Sequence, residues 1–108
     1  MSDAVIVFVT AGSDEEAVKI GKALVEEKLV ACCNLIPRIR SIYWWKGEVC
    51  EEEERLLILK TQAALFPAVQ SRVRELHSYD VPEIIALPIE RGLPDYLTWI
   101  AESTRKGD

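Results

Sequence analysis

The sequence is short of the residues from which most catalytic and metal centres are built. It holds one histidine, His77, and three cysteines, Cys32, Cys33 and Cys50, in 108 residues. An odd cysteine count, in a chain long enough to bury about two-thirds of its unfolded surface, suits free thiols in a reducing compartment. No uncharged apolar run reaches the roughly 18 to 20 residues of a membrane span, although 49% of the residues are apolar. Met1-Ser2-Asp3 begins no basic n-region, so neither membrane insertion nor export is expected and the cytoplasm is the default location. Basic residues are outnumbered, 13 Lys and Arg against 18 Asp and Glu. Nucleic acid and anionic membranes are bound through clustered Lys and Arg, so neither is an expected partner. There is no phosphate-binding P-loop, no nucleophile elbow and no H-E-x-x-H helix. With no repeat, linker or low-complexity segment, residues 1–108 read as one domain.

What is present alternates between strand and helix patterns. Residues 4–10 form a continuous β-branched and apolar run, as expected of a strand covered on both faces in the middle of a sheet. Ser13 followed by Glu16 matches a capping box, in which hydroxyl and carboxylate each satisfy a free amide at a helix start. A helix is therefore expected over 14–28, burying Ala17, Ile20, Leu24 and Val25 and wetting Lys19, Lys22, Glu26 and Glu27. The pattern is extended from Leu29 to Ile36, with a bulge or kink expected at Pro37, and resumes from Arg38 to Trp45. Lys46-Gly47 is a turn signal, and Glu48 to Thr61 returns to complete a long hairpin that sets Arg40 opposite Glu53 and Tyr43 opposite Cys50. The charge run Glu51 to Glu54 fits an exposed strand segment that discourages edge pairing.

Leu65, Val69, Val73 and Leu76 predict a second helix that carries Pro67 in its first turn and ends near His77. A loop follows over 78–82, then a strand over 84–89 in which Pro88 implies an edge position or a bulge. Pro94 opens a last short helix marked by Leu93, Tyr96, Leu97 and Ile100. The order βαββαβ with a C-terminal helix predicts an α+β, ferredoxin-like split-βαβ sandwich with both main helices on one face of an antiparallel sheet. Two helices cannot cover a sheet whose first strand is apolar on both faces and whose hairpin alternates Ile39, Ile42, Tyr43, Trp44 and Trp45. Self-association is the expected remedy.

Candidate chemistry is sparse, and function has to be read from sites because this fold hosts many activities. A metal chaperone of similar fold needs paired thiolates after the first strand, where this chain has Thr10-Ala11-Gly12-Ser13. An RNA-recognition module needs aromatic and basic groups on its third strand, where this chain has four glutamates. An acyl-phosphate hydrolase needs an arginine cradle near the first strand, and no arginine precedes Arg38. Cys32 and Cys33 are adjacent in a strand, so their side chains diverge, and core packing is the simpler use for them. Cys50 lies roughly 33 Å further along the hairpin. An intrachain thiol site is therefore not expected, while a site shared between subunits stays open. His77 has Tyr79, Asp80 and Glu83 near it in sequence. It can close a helix, where its charge complements the negative end of the dipole, or it can join a carboxylate on a metal. No nucleophile has a local partner, so no enzyme activity is expected.

A set of unusual segments goes further. Ala31-Cys32, Asn34, Ile36-Pro37, Ser41-Ile42-Tyr43-Trp44-Trp45-Lys46-Gly47, Glu54, Lys60-Thr61, His77-Ser78-Tyr79-Asp80-Val81-Pro82-Glu83-Ile84 and Tyr96-Leu97-Thr98-Trp99 resemble the CutA divalent-cation-tolerance proteins over nearly the whole chain. The resemblance implies a ferredoxin-like protomer in a tight homotrimer, with long hairpins packed between subunits as in the PII signalling trimers. Tyr43, Trp44 and Trp45 would then lie in the trimer interface. It implies a role in tolerance to copper and other divalent metals without established catalysis, and no organic cofactor. Some members resembled bind copper through a first-strand cysteine and a histidine pair before the loop tyrosine. Here those positions are Val9 and Leu76-His77, so His77 alone carries over as a metal ligand. Glu54, Lys60 and Tyr79 are the matching candidates for lining a cleft between subunits, where either a metal or a small molecule could bind.

Overall fold

A computed structural model describes residues 3–106. Met1 and Ser2, on which the reading of the N-terminus rests, lie outside the described residues. The elements are β1 (Ala4–Ala11), α1 (Asp14–Glu26), β2 (Cys32–Trp45), β3 (Glu48–Gln62), a 3-10 turn (Ala63–Leu65), α2 (Phe66–Leu76), β4 (Ile84–Pro88) and α3 (Pro94–Ser103). The sheet order is β2-β3-β1-β4, and every pairing is antiparallel. The expected ferredoxin-like order is therefore present. Pro88 sits on an edge strand, where its missing N–H costs no ladder bond.

The register shows what each face carries. Val5, Val7 and Val9 lie beside Leu57, Leu59, Cys33 and Leu35 on the face that joins the core with Ala17, Ile20 and Leu24 of α1 and Val69 and Val73 of α2. The alternate residues Ile6, Phe8, Ile36, Leu56, Ile58, Ile85 and Leu87 occupy the opposite face. There Ile85 and Leu87 are each 51% exposed. Helix α3 packs only at the Ala4 and Gln62 end, where Gln62 Nε2 donates to Thr104 Oγ1 at 2.7 Å. The open apolar face expected from the sequence is therefore present in the single chain.

Several boundaries differ from the expectation, each for a local reason. Helix α1 stops at Glu26 and not at Lys28, because Lys28 enters the left-handed region (φ 59°). Its amide donates to Val25 O, and that of Leu29 donates to Leu24 O, which is a Schellman closure. Leu29 and Val30 belong to that closure as buried core residues, so β2 begins at Cys32 and not at Leu29. Val25 is 40% exposed, and Gly21 takes the buried place assigned to it. A Cβ at Gly21 would lie 2.8 Å from Cys33 Sγ, so the glycine admits the thiol against the helix. In the capping box only half forms. Ser13 Oγ accepts from Glu16 N–H at 3.2 Å, while the Glu16 carboxylate turns to another loop.

The hairpin is long, giving the chain extents of 43 × 25 × 23 Å. Beyond Arg55 only β2 pairs with β3. The turn residues Lys46 (φ 51°) and Gly47 (φ 80°) both take the positive φ of a tight hairpin turn. Arg40 does oppose Glu53, and Tyr43 opposes Cys50. The Arg40 charge pair, however, forms diagonally with Glu51 at 3.4 Å, because Glu53 is drawn to Arg55. A register shift between Ile36 and Ile39 marks the bulge at Pro37, with Arg38 at φ 60°.

The Schellman closure gives a direct stability test. Lys28→Gly removes the Cβ penalty of the left-handed conformation and is expected to stabilise the protein by about 1 kcal/mol. Urea unfolding at fixed protein concentration reads this, and a lowered midpoint would contradict the assigned closure.

Candidate functional site

The polar groups of the molecule converge where the loop after α2 crosses the end of β1. Helix α2 ends with His77 as its cap, whose amide donates to Val73 O at 2.8 Å. The ring is buried, with Nε2 2.6 Å from Thr10 O, while Nδ1 accepts from Tyr79 N–H at 3.1 Å. This partner set places a hydrogen on Nε2, and the Glu16 carboxylate lies 3.8 Å from Nδ1. His77 therefore closes α2, as read from sequence, and also ties the helix end to the first strand through Nε2 and to its own loop through Nδ1.

Tyr79 stacks obliquely on that imidazole, with centroids 4.6 Å apart, and its hydroxyl donates to Glu54 Oε2 at 2.9 Å. Glu54 is only 6% exposed. The expectation of an exposed charge run thus holds for Glu51, Glu52 and Glu53 and fails at Glu54, because Tyr79 covers that carboxylate. Burial, the bond to Glu54 and the charge of that carboxylate all push the Tyr79 phenol well above its ordinary value. Glu83 is likewise raised, by partial desolvation first and by the Glu54 charge second.

The surrounding clamp was not visible in the sequence. Glu16 accepts from Ser78 N–H at 3.0 Å and from Ser78 Oγ at 3.2 Å. Arg55 binds Asp14 Oδ1 at 2.7 Å and donates to Gly12 O at 3.1 Å, holding the turn between β1 and α1. The backbone at Gly12 passes close to the ring, since a Cβ there would lie 3.0 Å from the Tyr79 hydroxyl. Glu16 carried a capping signal in the sequence that concealed this second use. Arg55 carried none.

The remaining candidates lie elsewhere. Lys60 donates to Asn34 Oδ1, and Cys32 Sγ lies 3.6 Å from the same oxygen. Lys60 and Glu54 share a face of β3 six residues apart, or roughly 20 Å at strand rise. One protomer therefore brings together His77, Tyr79 and Glu54 and leaves Lys60 apart. Tyr43 donates to Glu52, Trp44 is 73% exposed, and Trp45 lies 5.9 Å from the Lys46 ammonium. The three cysteines are free thiols. Burial against α1 pushes the Cys33 thiol up to about 11, so it is a poor thiolate donor. Among the described residues no three His, Cys, Asp or Glu side chains converge to hold a metal ion. No helix among them is long and apolar enough to cross a membrane.

Fold and site together define a split-βαβ α+β domain with an elongated hairpin and a tyrosine–glutamate pair sealed by the loop after its second helix. The family model described as CutA1 divalent ion tolerance protein matches residues 5–103, and the chain belongs to that family. It is 52% identical over 99 residues to the "Divalent-cation tolerance protein CutA" of Thermus thermophilus, covering 92% of this chain and 96% of that protein. The solved structure of the Thermus thermophilus Cut A1 protein superposes with a TM-score of 0.93 at 50% identity, covering 94% of this chain and 99% of that one. The rice "Protein CutA 1, chloroplastic" is 44% identical over 102 residues, covering 94% of this chain; this chain spans 58% of its length.

Tyr79→Phe leaves the buried Glu54 carboxylate without its donor and is expected to cost about 1 to 3 kcal/mol in chemical unfolding at neutral pH. The phenol is raised in the folded state, so only the unfolded state ionises just above the ordinary phenol value near 10. Stability of the wild type therefore falls as pH rises through that range, and the slope is expected to flatten in Tyr79→Phe. Equal slopes in the two proteins would show that Tyr79 does not contribute.

Proposed function

We propose that this protein acts in the cytoplasm as a homotrimer in the response to divalent metal ions, copper among them, by binding and without catalysis. The open apolar face carries this reading. Ile85, Leu87 and Ile36 are each 42% or more exposed in the single chain, and on the same side the hairpin adds Trp45. A continuous apolar surface of that kind on a water-facing domain marks an interaction site. Tyr43, Trp44 and Trp45 are assigned to the subunit boundary. The separation of Lys60 from the Tyr79–Glu54 pair supports the same assembly, because only a neighbouring protomer can bring those groups into one cleft. The divalent-cation tolerance named for the relatives supports the metal role.

The donor set sets a condition on that role. A single protomer offers no three-ligand cluster among its described residues, so bound metal needs donors from more than one chain. His77 enters as a ligand only by giving up its bond to Thr10 or to Tyr79. A second reading, a trimeric small-molecule sensor or scaffold with its ligand in the cleft between subunits, is favoured by the buried Tyr79–Glu54 pair, which offers organised hydrogen-bonding groups at the cleft edge.

Light scattering at micromolar concentration is expected to return three times the 12.2 kDa protomer mass. Trp45→Asp is expected to shift it to the protomer, and a stable wild-type protomer overturns the assembly. Calorimetric titration with Cu(II) and Zn(II), compared between wild type and His77→Ala, tests the ligand. Unchanged binding in the variant removes His77 from the metal site.

A further inference from the structure

A cavity of about 310 Å³ lies beside the C-terminal half of α2, lined by Gln70 and Arg74 of the helix, Asp80, Val81 and Pro82 of the loop and Ile84 at the start of β4. It belongs to the helix side of the molecule. Ile84 pairs in register with Val9 and packs on the core under the helices, away from the open sheet face. Asp80 and Val81 stand on the crest of the loop, and their far side borders the hairpin cavity walled by Tyr43, Trp45 and Tyr79. The helix-side cavity takes no wall from the hairpin and none from the residues assigned to the subunit boundary.

Two opposite charges face this space unused. The guanidinium of Arg72 is held by Glu27 and Glu75. Arg74, by contrast, has no hydrogen-bond or ion-pair partner among the described residues, nor do the side chains of Asp80 and Gln70, and Arg74 and Asp80 do not pair with each other. The negative end of α2 accounts for a basic residue in its last turn, yet leaves the donors of the guanidinium free. A lone anion here would meet Asp80, a lone cation would meet Arg74, and a purely apolar molecule would strip water from both charges. A molecule carrying both charges answers both. A carboxylate suits the planar fork of Arg74, with the Gln70 amide one turn away, and an ammonium group suits Asp80. Val81, Pro82 and Ile84 leave an apolar wall for the remainder. The volume sits at the small end of the roughly 300 to 1,000 Å³ usual for such sites, a size for one small molecule. The loop is also fixed in advance: Glu16 holds Ser78, Glu54 and His77 hold Tyr79, and Pro82 locks its own φ. We propose that this cavity binds a zwitterion of the α-amino-acid class with an apolar side chain, its carboxylate on Arg74 and its ammonium on Asp80. The site is separate from the cleft between subunits and does not depend on what binds there.

Calorimetric titration of the full chain with L-leucine tests the site. Saturable binding is expected, weakened about tenfold in Arg74→Gln and in Asp80→Asn, the loss of one charge-assisted hydrogen bond each. Both side chains are exposed and both replacements keep their approximate shape, so the fold is expected to survive. Two analogues make the same test on the unaltered protein. Isocaproate, which lacks the ammonium, and isoamylamine, which lacks the carboxylate, are each expected to bind at least about tenfold more weakly than leucine. Absence of saturable leucine binding overturns the proposal, as does affinity unchanged in both variants. Isocaproate or isoamylamine binding as tightly as leucine would also overturn it, by showing that one charge suffices.

Discussion

Burial of β1 is the constraint on which the rest of the structure depends. Its odd-numbered valines are fully or nearly fully enclosed under two helices, while Ile6 and Phe8 project from the other side. A strand apolar on both faces requires cover on both faces. The two long helices supply cover on one side only, and the short α3 reaches no further than the Ala4 end. The fold is therefore complete as a chain and incomplete as a surface, and this asymmetry is what directs the hairpin outward and leaves the alternate side chains of β1, β3 and β4 for another molecule.

The second organising feature is a short relay of hydrogen bonds across the end of the sheet. Thr10 holds His77, His77 holds the Tyr79 amide, and Tyr79 holds Glu54. Each link uses a group that would otherwise be buried without a partner, an arrangement that is costly when any member is removed. The relay joins β1, the end of α2 and β3, three elements distant in sequence, and it presents its aromatic end to the hairpin cavity. A loop that elsewhere would be mobile is thereby fixed at both ends, with Glu16 adding a further tie from α1.

Much of the fold was legible because its signals are local. The apolar run of β1, the capping serine, the Lys46-Gly47 turn and Pro88 at an edge each specify their own backbone, and the hairpin register followed from a two-residue turn. The misjudged boundaries lie where tertiary context overrides pattern. Nothing in Lys28 announces a left-handed residue, and Leu29 and Val30 have strand character while closing a helix. The candidate site was legible in part. Tyr79, Glu54 and His77 are close in space although 23 residues or more separate Glu54 from the loop, and only the resemblance to a known family singled out Glu54. The tie from Glu16 to Ser78 and the clamp of Arg55 on Gly12 were hidden, because a charged side chain carries no mark of which distant backbone it will reach.

The bulge between Ile36 and Ile39 has a consequence for the whole outer hairpin. Strict alternation from Ile36 would send residues 38, 40, 42 and 44 to the open side of the sheet. Pro37 and Arg38 together oppose Arg55, so Ile39 faces the same way as Ile36, and Ser41, Tyr43 and Trp45 follow it. One extra residue thus acts as a parity switch for the seven residues beyond it. Straightening the strand without removing a residue would bring Ile42 and Trp44 to that side in place of Tyr43 and Trp45, whereas excising one of the two bulged residues would leave every later side chain on the face it now occupies.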